Sequence, residues 1–212
     1  DLVRSRGLGD VYKRQLRQSI EIGLMLGWQD LRQAYRRSKL GQFWITAGMM
    51  LQILTIGIVF GLIFKVPIQE YLPFVSTGVI LWGLVSSSLN EGAMAFISSE
   101  ALIKQLRLPP ITHVVRVMWK GLLSFGHNLI ILPIVFLLMG KTINASVLLF
   151  VPGLLIVVVN LSWMVFLLAT ISSRFRDMPP IINAFTLMLF YVTPVMWYPS
   201  SLSPQVAHLM LG

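Results

Sequence analysis

The chain of 212 residues carries 17 Lys and Arg against 8 Asp and Glu, yet only 12% of its residues are charged and 56% are hydrophobic. Soluble domains average about 25% charged residues, so this composition argues against an ordinary soluble globular protein. The net charge of +9 does not indicate nucleic-acid binding, because the chain has too few polar residues to form the surface on which such cations lie. With no cysteine, disulfides, a thiolate nucleophile and a cysteine-ligated metal are excluded.

Residues 1 to 15 show no clear apolar period and resemble the translated adapter sequence found at the ends of fragmentary reading frames. We predict that they are a non-native tail, and such segments are set aside from fold reasoning. Removing them takes away four cations and two anions, so a basic excess remains.

Residues 16 to 41 are predicted to form a cytoplasmic amphipathic helix at the membrane interface. Apolar residues recur there every three or four positions, which is the period of one helix face. The cations on the other faces would contact anionic lipid, with Trp28 at headgroup depth. A soluble helix packed on a partner is the alternative. The apolar stripe consists of Leu16, Ile20, Leu24, Trp28, Leu31 and Tyr35.

Residues 42 to 199 are predicted to form a transmembrane domain. A hydrocarbon core of about 30 Å requires about 20 apolar helical residues, and five stretches of this kind lack Asp, Glu, Lys and Arg. They lack the ten-residue polar alternation of barrel strands, so the predicted fold class is an all-α polytopic membrane protein with five transmembrane helices. The predicted spans are residues 42–64, 71–90, 121–139, 145–171 and 181–198.

The basic residues outside these spans fall almost entirely on one side. Nine precede the first span, four lie between the second and third, and two lie between the fourth and fifth. The opposite side has only Lys65 and Lys141. By the positive-inside rule, the N-terminus is predicted to be cytoplasmic.

A short helix is predicted between the second and third spans. Ser99 suits the N-cap, Glu100 suits the positive end of the helix dipole, and Pro109 and Pro110 block continuation. A helix of about two turns would present a small apolar face to a groove on a cytoplasmic partner; packing on its own bundle fits the pattern equally well. That face is Leu102, Ile103 and Leu106, beside Lys104, Gln105 and Arg107.

The sequence shows no pattern for catalysis. Gly140, Lys141 and Thr142 match the end of a P-loop, but Val135 stands where its first glycine is required. No His-Glu-x-x-His motif, carboxylate pair or cluster of metal ligands is legible. We therefore predict no catalytic residue, metal site or cofactor in this chain.

Polar residues at membrane depth are candidates for the path of a hydrophilic substrate, because their exposure to lipid is costly. Aromatic residues facing a channel would stack on sugar rings, although interface belts and ordinary packing explain most membrane aromatics. Hydrogen bonding between helices is the alternative for the polar residues. The path candidates are Trp82, Phe125, His127, Asn128, Asn160, Phe185 and Phe190.

Three stretches together resemble the ABC-2 permeases that export O-antigen, capsule and teichoic-acid polymers. Residues 28–44 are similar to the family motif R-D-[LI]-[KR]-x-R-Y-[KR]-x-S-x-L-G-x-[LF]-W, although Gln29 and Ala34 stand where the family has arginine. Residues 102–109 are similar to L-I-x-K-[IV]-x-F-P, with the lysine one place early. Residues 173–178 and 191–195 resemble the R-[FY]-R-D-[IL] loop and the T-P-[VI] of the fifth span. The residues carried over are Asp30, Tyr35, Arg36, Arg37, Ser38, Gly41 and Trp44 in the first motif and Arg174, Arg176 and Asp177 in the loop.

This resemblance implies a permease subunit of an ABC transporter that exports a lipid-linked polysaccharide or polyol phosphate polymer across the bacterial cytoplasmic membrane. It also implies six spans per subunit, a homodimer, and a separate ATPase that binds ATP and Mg²⁺. Residues 200 to 212 would begin an outer re-entrant segment, so the chain resembles a fragment that stops before the sixth span. The residues implied in coupling to the ATPase are Glu100, Leu102, Ile103, Lys104, Leu106 and Arg107.

Three other functions are weighed against this one. An ABC-2 exporter of drugs or small lipids shares the topology, but the R-F-R-D and Y-[KR]-x-S-x-L-G motifs argue against it. A membrane enzyme acting on lipid-linked sugars would need an acid pair or a metal motif. A non-transporting membrane scaffold fits the topology but not the motifs.

Overall fold

Every regular element in the described part of the chain is a helix, which confirms the predicted all-α fold class. The helices are α1 (Leu2–Ala34), α2 (Phe43–Phe64), α3 (Ile68–Ser98), α4 (Glu100–Leu106), α5 (Pro110–Leu129), α6 (Ile131–Leu138), α7 (Phe150–Arg174, after a 3₁₀ turn at Ala145–Leu149) and α8 (Met178–Val192). The structure, a computed structural model, describes residues 2–34, 36, 38, 41, 43–106, 108–142 and 145–198, with side chains from residue 13 onward except at 146.

Four helical segments are long and apolar enough to cross a membrane, and α8 is a shorter apolar helix of 15 residues. Three of the four extend beyond the charge-free stretches of the sequence, the last of them as far as Arg174. Helix α3 continues past residue 90 through Glu91, and α5 begins at Pro110, well before residue 121. The extra turns are tolerated because Glu91 and Lys120 pair with each other at 2.8 Å. The four segments are Phe43–Phe64, Ile68–Ser98, Pro110–Leu138 and Val147–Arg174.

The third crossing is interrupted at Ile130, between α5 and α6. Pro133 lies four residues after Leu129, so its ring clashes with the Leu129 carbonyl and its nitrogen cannot donate to it. The helical hydrogen bonding is therefore interrupted one turn before the proline, while Ile130 keeps right-handed helical angles.

Helix α8 ends at Val192, so the predicted fifth span of 181–198 is corrected at its end. Thr193 takes an extended conformation because Pro194 follows it. The chain then packs back on α3, where Phe74 stacks on Tyr198 with ring centroids 4.2 Å apart. Val195 in this segment lies against Gly78.

Helix α3 is the centre of the bundle and packs on α2, α5, α7 and α8. Its buried residues form the largest part of the hydrophobic core, and Gly92 brings α7 close enough that an added Cβ would lie 2.9 Å from Val165. Helices α2, α7 and α8 bury few residues within the chain.

Helix α1 packs on α5 through its smallest residues. A Cβ atom added at Gly23 would lie 2.7 Å from the carbonyl oxygen of Thr112, and one added at Gly27 would lie 2.7 Å from that of Arg116. The contacts advance by four residues on both helices, so α1 and α5 run in the same direction here. Small residues allow backbones to approach this closely.

The predicted apolar stripe of α1 is not the face that packs on α5. Leu16, Ile20 and Trp28 are exposed, and of this stripe Leu31 alone is buried among the residues whose side chains are described. The stripe is thus open to lipid or to another chain. The helix starts at Leu2, and both the interfacial position of residues 16 to 41 and the foreign origin of residues 1 to 15 stay predictions.

Candidate functional site

Most of the charged residues described outside α1 lie at one end of the bundle, which we call the charged end. It comprises the C-terminal half of α1, the last turns of α3, helix α4, the first half of α5 and the turn between α7 and α8. Its described charged residues are Glu21, Asp30, Arg32, Glu91, Glu100, Lys104, Arg116, Lys120, Arg174, Arg176 and Asp177.

The short helix predicted between the second and third spans is confirmed as α4. It begins at Glu100, where Ile103 N–H donates to the Ser99 carbonyl at 2.9 Å, and it ends at Leu106. Leu108 and Pro109 are non-helical, and Pro110 starts α5, where its missing N–H costs no hydrogen bond.

Helix α4 lies at the surface of the bundle, and none of its seven residues is buried. Leu106 is 60% exposed, and Leu102 and Ile103 are half-buried. A groove of about 330 Å³ runs along the helix. Apolar residues supply much of its lining: Phe96, Ile97, Ile103, Leu108 and Pro110. An apolar surface at a charged end is the composition expected of a protein-binding patch.

Two of the predicted groups of residues meet at Glu100. Its Oε1 accepts a hydrogen bond from Lys104 Nζ at 2.7 Å, and its Oε2 accepts one from Arg176 Nη2 at 3.2 Å. These bonds, with Lys104 contributing most, hold the pKa of the Glu100 carboxyl below its usual value. The pairing ties α4 to the turn between α7 and α8, where Arg174 and Asp177 are also exposed.

Asp30 of the first motif pairs with an arginine that the sequence analysis did not single out. Arg116 donates from Nε to Asp30 Oδ2 at 2.6 Å and from Nη2 to Oδ1 at 2.7 Å. The two side chains are 26% and 27% exposed. Arg116 also donates from Nη1 to Ser99 Oγ at 3.3 Å. The Ser99 hydroxyl therefore accepts from Arg116, while the Ser99 carbonyl accepts the first helical hydrogen bond of α4.

Beside this pair lies a cavity of about 210 Å³. The ion pair of Lys120 with Glu91 forms its other charged side, and the buried His113 lines it. A sequence signal for Arg116 and Lys120 did exist, since both cations lie in the first turns that follow Pro110. Their partners, however, depend on the packing of α5 against α1 and α3.

The rest of the first motif leads from α1 into α2. Arg36 is exposed and Ser38 is half-buried, while Tyr35 and Arg37 lie outside the described residues. Gly41 has a φ of +55°, in the left-handed region that glycine adopts without a steric penalty. Trp44 is exposed in the first turn of α2. Arg107 also lies outside the described residues.

Of the seven path candidates, the structure brings two together. The rings of Trp82 and Phe190 lie 5.9 Å apart at their centroids, on a groove of about 280 Å³ between α2, α3 and α8. Gln52, Ser86 and Asn183 add polar groups to this groove. Aromatic rings beside amide and hydroxyl groups form a surface suited to polyhydroxylated rings.

The other path candidates are dispersed. Phe125 is buried and stacks on Phe150, so it belongs to the core, and Asn128 is buried as well. Phe185 is exposed on a different face of α8 from the groove residues. His127 Nδ1 lies 2.8 Å from the Leu123 carbonyl, and Asn160 donates to a carbonyl of its own helix.

Comparison with known proteins extends over almost the whole chain. The family model described as ABC-2 type transporter matches residues 23–210. A protein named O-antigen export system permease protein RfbA, from Klebsiella pneumoniae, is 28% identical over 182 residues, which are 84% of this chain and 68% of that protein. A protein of the same name from Myxococcus xanthus is 25% identical over 198 residues, 93% of this chain and 76% of that protein. On the match of the family model, the chain belongs to the ABC-2 type transporter family.

Proposed function

We propose that this chain is the membrane permease subunit of an ABC exporter, and that it moves a lipid-linked polysaccharide or polyol phosphate polymer across the cytoplasmic membrane. The relatives named as O-antigen export permeases support this substrate class. Membership of a transporter family supports transport rather than catalysis. The charged end faces the cytoplasm, as the positive-inside rule requires of the basic loops.

A separate ATPase, which binds ATP and Mg²⁺, docks on α4. The observation that carries this proposal is a helix of seven residues with none of them buried, which presents Leu102, Ile103 and Leu106 beside an apolar groove. Leaving such a surface in water is unfavourable, and covering it with a partner releases about 25 cal/mol per Å² of apolar area.

The polymer passes along the groove that contains Trp82 and Phe190, with two copies of the chain forming the path. In one chain this groove opens at the surface between α2, α3 and α8. A second copy placed against it would enclose a hydrophilic substrate from lipid, which a single chain does not.

Replacing Leu102, Ile103 and Leu106 together by alanine tests the docking. Alanine keeps the helical propensity of α4 but removes the apolar surface, so we expect co-purification of the ATPase to fall about tenfold or more, as for interface hot spots. Polymer export should fall with it. The measurement is a pulldown of tagged ATPase together with quantification of surface polymer.

The matched control is the double variant Leu137→Ala and Leu138→Ala, which removes exposed leucines from the opposite end of the bundle. It should leave ATPase binding unchanged. Normal ATPase binding and normal export in the α4 triple variant would contradict the proposed docking.

A further inference from the structure

The guanidinium of Arg116 joins two elements that are far apart in the chain. Two of its nitrogens, Nε and Nη2, donate to the Asp30 carboxylate on α1, and the third, Nη1, donates to Ser99 Oγ. Because a guanidinium is planar and rigid, a displacement of Ser99 reorients the fork that holds Asp30.

Ser99 is the single residue that connects the end of α3 to the start of α4. It follows the last residue of α3, its N–H donates to the Ile97 carbonyl, and its own carbonyl accepts the first helical hydrogen bond of α4, from Ile103. It is also buried. A force applied to α4 therefore reaches the bundle at Ser99, as well as through the pair of Glu100 with Arg176 and through the chain into α5.

Helix α1 is held to α5 tightly enough to follow such a movement. Gly23 and Gly27 place its backbone against that of α5, and Asp30 lies one turn beyond Gly27. The bidentate bond to Arg116 then fixes the C-terminal part of α1, from which the chain leads into α2.

We propose that Arg116 is a positioning residue that links α4 to α1 through Ser99 and Asp30, so that movement of α4 on the ATPase is carried to α1 within the same subunit. This inference rests on the proposed docking of the ATPase on α4. Movement of α4 reaches α3 and α5 directly along the chain. The link through Arg116 adds a second path for this movement, into α1 and α2.

The variant that tests the link is Ser99→Ala, which removes one hydrogen bond and leaves the pair of Asp30 with Arg116 in place. The matched control is Ser98→Ala, because the hydroxyl of Ser98 donates to the Ala95 carbonyl of its own helix. Both variants are expected to fold and to bind the ATPase, whereas variants of Arg116 itself would disturb packing.

The readout is movement, measured by distances between spin labels on introduced cysteines in the permease bound to its ATPase. The chain has no cysteine of its own, so Met25→Cys on α1, Gln105→Cys on α4 and Lys65→Cys at the opposite end provide unique labels. In the wild type, a non-hydrolysable ATP analogue should shift the distances from both Met25 and Gln105 to Lys65. With Ser99→Ala, the shift at Gln105 should remain and that at Met25 should become clearly smaller than in the Ser98→Ala protein, and polymer exported per ATP hydrolysed should fall several-fold.

The inference is overturned if Met25 moves as far in the Ser99→Ala protein as in the Ser98→Ala protein and export per ATP is equal in the two. In that case the docking proposal stands, because ATPase binding is intact. A wild-type chain that binds no ATPase would overturn the proposed function and this inference together.

Discussion

The Glu100 carboxylate accepts hydrogen bonds from both Lys104 and Arg176. A carboxyl whose pKa is lowered on folding contributes stability above its unfolded pKa and loses it as the pH falls through the lowered, folded value. The link between α4 and the turn between α7 and α8 is thus present at neutral pH.

We expect this link to open only below the ordinary pKa of 4.5. Spin labels at Gln105→Cys and Phe175→Cys should report one separation from neutral pH down to that value and a larger one once the pH falls below the lowered pKa of Glu100, since only the protonated carboxyl releases both cations. In the Glu100→Gln variant, the separation should not change with pH. An opening near pH 6 would contradict the assignment to Glu100.

Trp82 supplies the largest aromatic surface in the groove proposed as the polymer path. Trp82→Ala should reduce the export rate about fivefold, which corresponds to loss of an aromatic contact worth on the order of 1 kcal/mol, and it should leave ATPase binding unchanged. Trp163→Ala is the control, because Trp163 is exposed on α7 away from the groove. Equal export rates for the two variants would contradict the proposed path.

At the scale of elements, the contact of α1 with α5 depends on the absence of side chains at two positions. Even a methyl group at Gly27 would press on the backbone of α5. Since backbone cannot move aside as a flexible side chain does, the helices themselves would have to separate.

Gly27→Ala should therefore destabilise the protein by about 1 to 3 kcal/mol, as overpacking generally does. Gly126→Ala is the matched control: no heavy atom lies within 4 Å of its added Cβ, and alanine in a helix is favoured over glycine by about 0.5 to 1 kcal/mol. Thermal unfolding in detergent should move in opposite directions for the two variants. A lower melting temperature for both would point to a general effect of substitution instead.

The face of α1 shows where a sequence pattern is incomplete. Apolar periodicity predicted a helix with one apolar stripe. The contact with α5, however, is made by Gly23 and Gly27, which lie on another face. Close helix packing favours small residues over large apolar ones. The apolar stripe therefore marks the face of α1 that the rest of the chain, in the described structure, leaves largely uncovered. Helix α4, by contrast, was predictable because Pro109 and Pro110 end it locally, although the Ser99 hydroxyl, predicted as its N-cap, accepts a hydrogen bond from Arg116.

At the scale of the whole molecule, the distribution of charge predicts one orientation. A membrane-impermeant maleimide should label Lys65→Cys from outside intact cells and should label Gln105→Cys only after the membrane is opened. This follows from the positive-inside rule, because cations crowd the loops on the side of α4. The reverse pattern would contradict a cytoplasmic α4 and the docking of an ATPase there.

The long-range pairings of residues at the charged end could not be predicted from the sequence. Asp30 and Arg116 are 86 residues apart in the chain, and nothing in their local surroundings marks them as partners. Both the fold class and the family motifs came from local patterns, whereas the pairings that join α1, α4 and α8 required the packing of α3 and α5. The pair of Trp82 with Phe190 depended in the same way on the contact of α3 with α8.

The turn at Ile130 divides the third crossing into two hydrogen-bonded segments, α5 and α6, although Ile130 itself keeps right-handed helical angles. Helix α5, which carries Arg116, ends there, and α6 continues the crossing away from the charged end. A proline break removes the hydrogen bonds that would make a single helix turn as one rod. Because fewer backbone hydrogen bonds cross residue 130 than cross the rest of the segment, we expect the third crossing to bend there if α5 tilts.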